Sequence, residues 1–202
     1  RVRAPPAPLG SVGLGWHHVP MTRTIYYTAS SLDGFIAGPG HDLEWLVSSG
    51  LETGSGDSPF AYSSFEPAVG AVVMGSHTYE WVTNHEPKPT PETWYSQPTW
   101  VVTRRDLEPI EGTPMQFFAG DVALLHPRLV EAAGVRDVWV VGGGDLAGQF
   151  LDAGLLDEVI VSYAPVTLGA GAPLLPRRAN WRLVDTGRLG DFAAARWAVE
   201  PH

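Results

Sequence analysis

The chain has 202 residues, 44% of them hydrophobic and 17% charged, which bounds it to one domain or two very small ones; no apolar run approaches the ~18 residues of a membrane span. Thirteen Lys and Arg against 22 Asp and Glu leave a formal charge of −9. That is the wrong sign for a nucleic-acid-binding stripe, so an anionic ligand needs a local positive pocket. The absence of cysteine excludes a disulfide framework, a thiolate nucleophile and Cys-ligated metal sites, and fits a reducing cytoplasm.

Residues 1–20 carry four Pro, three Gly and no acid, and Met21 follows them directly. They read as a leader or upstream extension and are set apart from a single domain over 21–202, whose formal charge is −11 once Arg1 and Arg3 are left out. From there short strand-like runs alternate with amphipathic stretches. The strands are expected at Thr24 to Ser30, Ala68 to Met74, Thr99 to Thr103, Asp137 to Val141 and Glu158 to Ala164, several of them apolar on both faces as buried parallel strands are. Helices are expected at Asp42 to Ser49, Ser76 to Val82, Val122 to Ala133 and Asp145 to Ala153, the last stopped by Gly154. Trp181 to Thr186 and Phe192 to Glu200 read as a terminal antiparallel hairpin. The alternation argues for an α/β domain with a mainly parallel sheet and flanking helices.

Three strand ends carry candidate chemistry. In AVVMGSHTYEWV, Gly75 closes a strand and Ser76, His77 and Thr78 open a helix, with Ser76 equally readable as a simple N-cap. In TWVVTRR, Arg104 and Arg105 follow Thr103 at a strand end, suited to a phosphate monoester or, more plainly, a solvated charge pair. In VWVVGGGDLAGQF, a buried strand meets Gly142-Gly143-Gly144 and then Asp145 and Leu146 of a helix; residues without side chains there let backbone N–H groups approach a pyrophosphate. Gly142, Gly144 and Ala147 satisfy G-x-G-x-x-A, but the unit comes late and its next strand ends in Ser162-Tyr163-Ala164 rather than in the ribose-binding acid of a Rossmann unit. The seven histidines show no H-x-H or H-E-x-x-H spacing, and no G-x-S-x-G or Walker A sequence appears, so no metal is expected.

Taken in order, Ser31-Leu32-Asp33-Gly34, Met74-Gly75-x-x-Thr78-Tyr79-Glu80, the Val-Val-Thr strand, the triple glycine, and Gly154-Leu155-Leu156-Asp157-Glu158 leading to Ala164-Pro165-Val166-Thr167-Leu168-Gly169 resemble the dihydrofolate reductase superfamily. In particular they resemble its bacterial stand-alone proteins similar to the reductase domain of riboflavin biosynthesis. The resemblance covers nearly all of residues 23–200. It implies a twisted, mainly parallel sheet, hydride transfer from NADPH to a small heterocycle of pteridine or riboflavin-precursor pyrimidine type, and a homodimer. Carried over by position, it gives Ala29 and Ile36 backbone contacts to the nicotinamide carboxamide, His77 and Thr78 the phosphate-binding helix start, Thr103 to Arg105 the 2′-phosphate, and Gly143 to Leu146 the pyrophosphate. Ser76 stands where dihydrofolate reductases usually have Arg.

His41-Asp42-Leu43-Glu44-Trp45-Leu46 resembles the helix whose aspartate holds the pterin. Asp42 and Leu46, four apart, would share a helix face, and Asp42 beside an apolar pocket would relay the proton that accompanies hydride. The plainer reading makes Asp42 an N-cap. Trp45 and Leu46 would wall the substrate and Ser162 would also contact it, while Asp33 is the rival polar group with a structural role. Leu51 to Pro67 contains no Arg, Lys or His, unlike a site built for a sugar phosphate. The competing class is a non-catalytic protein that binds NADPH without turnover.

Overall fold

The structure, a computed structural model, describes residues 22–48, 58–85 and 87–200. The expected leader at 1–20 lies outside the described residues, as does the end of the helix expected to reach Ser49. The first half contains β1 (Thr24–Ser31), β2 (Phe35–Ala37), α1 (Glu44–Val47), α2 (Tyr62–Phe65), β3 (Val69–Gly75), α3 (Ser76–Asn84) and β4 (Thr99–Val102). The second contains β5 (Met115–Phe118), α4 (Val122–Ala133), β6 (Asp137–Gly142), α5 (Gly144–Asp152), β7 (Glu158–Ala164), β8 (Ala172–Pro173), β9 (Trp181–Leu189) and β10 (Phe192–Val199).

Eight strands form one sheet in the order β5-β4-β3-β6-β1-β7-β10-β9, parallel from β5 to β7, with β10 and β9 added antiparallel as the terminal hairpin. Strand periodicity sends neighbouring residues to opposite faces. Tyr26, Val73, Trp100, Val140 and Val161 pack with α4 and α5 on one face. Their neighbours Ile25, Val72, Val101, Trp139 and Ile160 pack with Phe65 of α2 and Tyr79 of α3 on the other. The runs that are apolar on both faces are therefore the central strands, covered on both sides.

That division positions the site. The adjacent parallel strands β3 and β6 are followed by α3 and α5, which leave toward opposite faces, so a crevice opens at their C-terminal ends, as it does wherever crossovers in an open parallel sheet change side. The β1–β6 pairing ends at Tyr26 and Val140, although β1 continues along β7 to Ser31 and β6 along β3 to Gly142. The two strands thus part at the same end of the sheet. A two-stranded sheet of β2 and β8 lies beside the gap. Among the described residues no helix is long and apolar enough to cross a membrane.

Candidate active site

A cleft of about 370 Å³ sits at these strand ends. Of the residues proposed from sequence, Ile36, Gly75, Ser76, His77, Thr78, Gly143, Gly144, Asp145 and Leu146 line it together, although they come from three separate parts of the chain. Both helices that open into it are nine residues long and start after a glycine in extended backbone, Gly75 for α3 and Gly143 for α5, with no side-chain capping bond. The first N–H groups of two helices are therefore left for something else to satisfy, and helix N-termini favour an anion.

The three glycines have different tasks. Gly142 has φ +149, a conformation L side chains rarely adopt, and is joined to Gly143 by a cis peptide bond. Gly143 borders the cleft; a Cβ there would sit 3.7 Å from Ile36 Cδ1, an ordinary contact. At Gly144 a Cβ would run into the carbonyl groups of Pro173 and Leu174. The triplet is thus both a cradle and the joint that packs α5 onto β8.

Asp145, in the first turn of α5, would oppose an anion in the cleft, but both of its carboxylate oxygens are engaged. Gln149 Nε2 donates to one and the Arg177 guanidinium to the other, each at 3.0 Å, and these bonds hold its carboxyl below the usual carboxylate range. Arg105 lies outside the cleft lining and forms a two-pronged ion pair with Glu80 of α3, while Thr103 Oγ1 accepts the Arg105 backbone N–H at 2.9 Å. Arg104 is exposed and has no ion pair among the described residues. The arginine pair read from sequence is thus divided into one committed and one uncommitted cation.

The substrate-side residues do not assemble as expected. Asp42 has extended backbone, φ −67 and ψ 129, and precedes the helix rather than belonging to it, so it does not share a helix face with Leu46. Its carboxylate is exposed and accepts the Glu44 N–H at 3.0 Å. The N-cap position of α1 is Leu43, without a side-chain capping bond, so Asp42 lies one residue before the cap and satisfies the first N–H of the helix from there. Asn accepts such a bond as well as Asp, so Asp42→Asn is expected to leave turnover within about threefold, against the 10²–10⁴ loss of a general acid. A steady-state pH profile of the variant separates the two.

Trp45 and Leu46 pack against a small cluster of Ala61, Ala164, Leu189 and Phe192. Ser162 is buried within the sheet between Ala29 of β1 and Ala194 of β10. None of these residues lines the cleft. Ala29 lies on the stretch of β1 beyond its last pairing with β6, facing the gap between the two strands. Sequence reasoning missed Leu43, Trp81, Gln149 and Pro173, and it passed over His41, which stands in a segment read for its aspartate.

Asp33 is structural. It accepts from Ser31 Oγ at 2.6 Å and from the backbone N–H groups of Leu168 and Gly169, tying the β1–β2 turn to the segment that leads into β8. The Ser31 hydroxyl first, and then those amides, hold its pKa down to about 2. A carboxyl with a depressed folded pKa stabilises above its unfolded value of ~3.9 and loses that contribution as the pH falls through the folded value. Carboxyl-carbon NMR is expected to give Asp33 a midpoint near 2; a midpoint in the ordinary range near ~3.9 would remove this tether.

The fold is dihydrofolate-reductase-like, and comparison with known proteins specifies the family. The chain belongs to the RibD C-terminal domain family, whose model matches residues 23–191. It is 31% identical over 171 residues to the uncharacterized protein YwjB of Bacillus subtilis, an alignment covering 83% of this chain and 92% of that one. With the riboflavin biosynthesis protein RibD of Haemophilus influenzae it shares 30% identity over 124 residues, 53% of this chain and 32% of that protein. Among solved structures, a Shewanella protein provisionally assigned to riboflavin biosynthesis superposes with a TM-score of 0.72 at 24% identity, covering 89% and 100% of the two chains. Dihydrofolate reductase from Enterococcus faecalis, solved with NADP(H), superposes with a TM-score of 0.54 at 17% identity, covering 90% and 98%.

Proposed function

We propose that this protein is an NADPH-dependent reductase of a small heterocycle, a pteridine or a pyrimidine of the riboflavin-precursor type such as 5-amino-6-(5-phosphoribosylamino)uracil. The observation that carries the reading is the convergence of two uncapped helix N-termini on one cleft where β1 and β6 part. Membership of the RibD C-terminal domain family supports it.

The residues present fit such a cofactor. The N–H groups of Gly144, Asp145 and Leu146 would hold the diphosphate from α5, and those of Ser76, His77 and Thr78 would meet phosphate charge from α3. The β1 backbone at Ala29 and the β2 backbone at Ile36 would hold the carboxamide of the nicotinamide ring. When bound, the cofactor supplies the hydride, and the chain supplies orientation and electrostatics. The Gln149 and Arg177 bonds to Asp145 occupy both of its carboxylate oxygens, and the Arg177 guanidinium offsets the charge that would oppose a diphosphate. The reading includes action in the cytoplasm and a homodimer; the nine-residue edge strand β9, exposed from Arg182 to Arg188, offers an open backbone for pairing.

The test is NADPH oxidation followed optically across reduced and oxidised pteridines, ribosylated aminopyrimidines, flavins and quinones. Turnover with one heterocycle is expected; tight NADPH binding with no oxidation by any acceptor would instead identify a binding protein.

Cofactor choice follows from the arginines. One charged hydrogen bond to the 2′-phosphate is worth ~1.5–3 kcal/mol, about 10- to 150-fold. With Arg105 committed to Glu80, a preference for NADPH over NADH near the lower end, about tenfold, is expected and should shrink as salt rises. Arg104→Ala should equalise the two cofactors, whereas Glu80→Gln should release Arg105 and widen the preference. Equal affinities in the native protein at low salt would sink this assignment.

A further inference from the structure

His41 and His77 reach the same cleft from different elements. His77 is in the first turn of α3, and His41 belongs to the short loop that closes β2, where the Gly38 N–H donates to the Asp42 carbonyl at 2.8 Å and the His41 N–H to the Gly38 carbonyl at 3.1 Å. Their imidazole rings are stacked, with centroids 4.3 Å apart and planes 21° from parallel. His41 holds this position with φ 64, next to Gly40 at φ 71, and is the sole non-glycine residue with positive φ among the described residues. Non-glycine residues in that region are uncommon and cluster at functional sites.

Two neutral imidazoles stack favourably, but two imidazolium ions at this distance repel each other unless an anion sits against both. The charged groups around the pair do not supply that anion freely. On α3, one turn beyond His77, Glu80 is taken up by Arg105. On α5, Asp145 is taken up by Gln149 and Arg177. On the loop itself, Asp42 keeps its charge but is exposed, so solvent screens it, and one of its oxygens accepts the Glu44 N–H. His85, further along α3, stacks on Trp81 at 3.9 Å.

We propose that His41 and His77 form a proton-linked clasp for a phosphate group of the ligand: stacked and not jointly charged when the cleft holds no anion, and both protonated when a phosphate enters. His41 is then a specificity-determining residue that adds to α3, from outside that helix, the cationic charge that Ser76 does not provide. That the phosphate belongs to a dinucleotide rests on the function proposed above; the clasp itself rests on the geometry of the two rings. The sign of its pH dependence is fixed: an anion favours the protonated imidazoles, so binding takes up protons and affinity falls as the pH rises through the imidazole range.

Two measurements on the full chain decide it. The first is NMR titration of the histidine ring signals with and without saturating inorganic diphosphate, using His41→Asn and His77→Gln for assignment; Asn is chosen at 41 because it tolerates left-handed backbone. The midpoints of His41 and His77 are expected to move upward together with diphosphate, and unchanged midpoints overturn the clasp. The second is NADPH affinity from pH 6 to 8.5, expected to fall about tenfold in the native protein, the scale of one charged hydrogen bond, and to flatten in His41→Asn. An equally steep fall in His41→Asn overturns the role of His41. NADPH that fails to bind at any pH while diphosphate still shifts both histidines would overturn the dinucleotide reading and leave the clasp standing.

Discussion

Gly143→Val is expected to abolish measurable NADPH binding, a loss above about a hundredfold, while the far-UV spectrum and the melting temperature stay close to those of the native protein. The glycine has φ −79 and ψ −179, extended backbone that valine adopts readily. Its Cβ would meet only Ile36 Cδ1, at 3.7 Å. The fold therefore tolerates the side chain, but the cleft does not. Two added methyl groups would stand at the mouth of the α5 N-terminus, between the free N–H groups and any diphosphate approaching them. A displaced diphosphate loses several charged hydrogen bonds together, each worth ~1.5–3 kcal/mol, which is why the expected effect is large. Calorimetric titration of a folded Gly143→Val protein that shows native affinity would remove the cleft from consideration.

Gly144→Ala, one residue away and chemically milder, is expected to act in the opposite way. Its Cβ would be driven into the carbonyls of Pro173 and Leu174, backbone atoms that cannot rotate aside as a side chain can. The α5 N-terminus or the β8 segment has to shift, and overpacking of this kind costs about 1–3 kcal/mol. At ~2–4 °C per kcal/mol for a domain of this size, the melting temperature should fall by roughly 2–12 °C. Affinity for NADPH should weaken as well, because the displaced turn is the one that carries the N–H groups. A thermal melt superimposable on that of the native protein would contradict the close approach of α5 to β8.

The contrast between these neighbours shows where sequence reasoning succeeds and where it stops. Side-chain-free residues between a buried strand and a helix are legible as an anion cradle because that argument is local. That Gly143 faces the cleft while Gly144 faces Pro173 and Leu174 is a tertiary fact about residues about 30 positions away, and no local pattern encodes it. The central strands were legible for a related reason: apolar side chains on both faces of β1, β3, β6 and β7 need two covering layers, and that need is written in composition.

Elements held by backbone pairing rather than by burial were not legible. β5 is an edge strand with Gln116 and Phe117 exposed, fixed by its pairing with Thr99–Val102, and β2 and β8 have three and two residues, too short for any period. At the site, neither the ion pair of Arg105 with Glu80 nor the start of α1 two residues beyond Asp42 is encoded in the local pattern. The stacking of His41 on His77 required the β2 loop to be placed beside α3, which a linear pattern cannot do.

The central claim is that the cleft between the β3–α3 and β6–α5 junctions is the cofactor site. A crystal structure of the protein grown with saturating NADPH tests it most directly. The account predicts the diphosphate within hydrogen-bond distance of the N–H groups of Gly144, Asp145 and Leu146, and the nicotinamide ring in the gap between β1 and β6 near Ala29 and Ile36. NADPH bound elsewhere on the molecule, or an empty cleft in crystals grown at saturating NADPH, would contradict it.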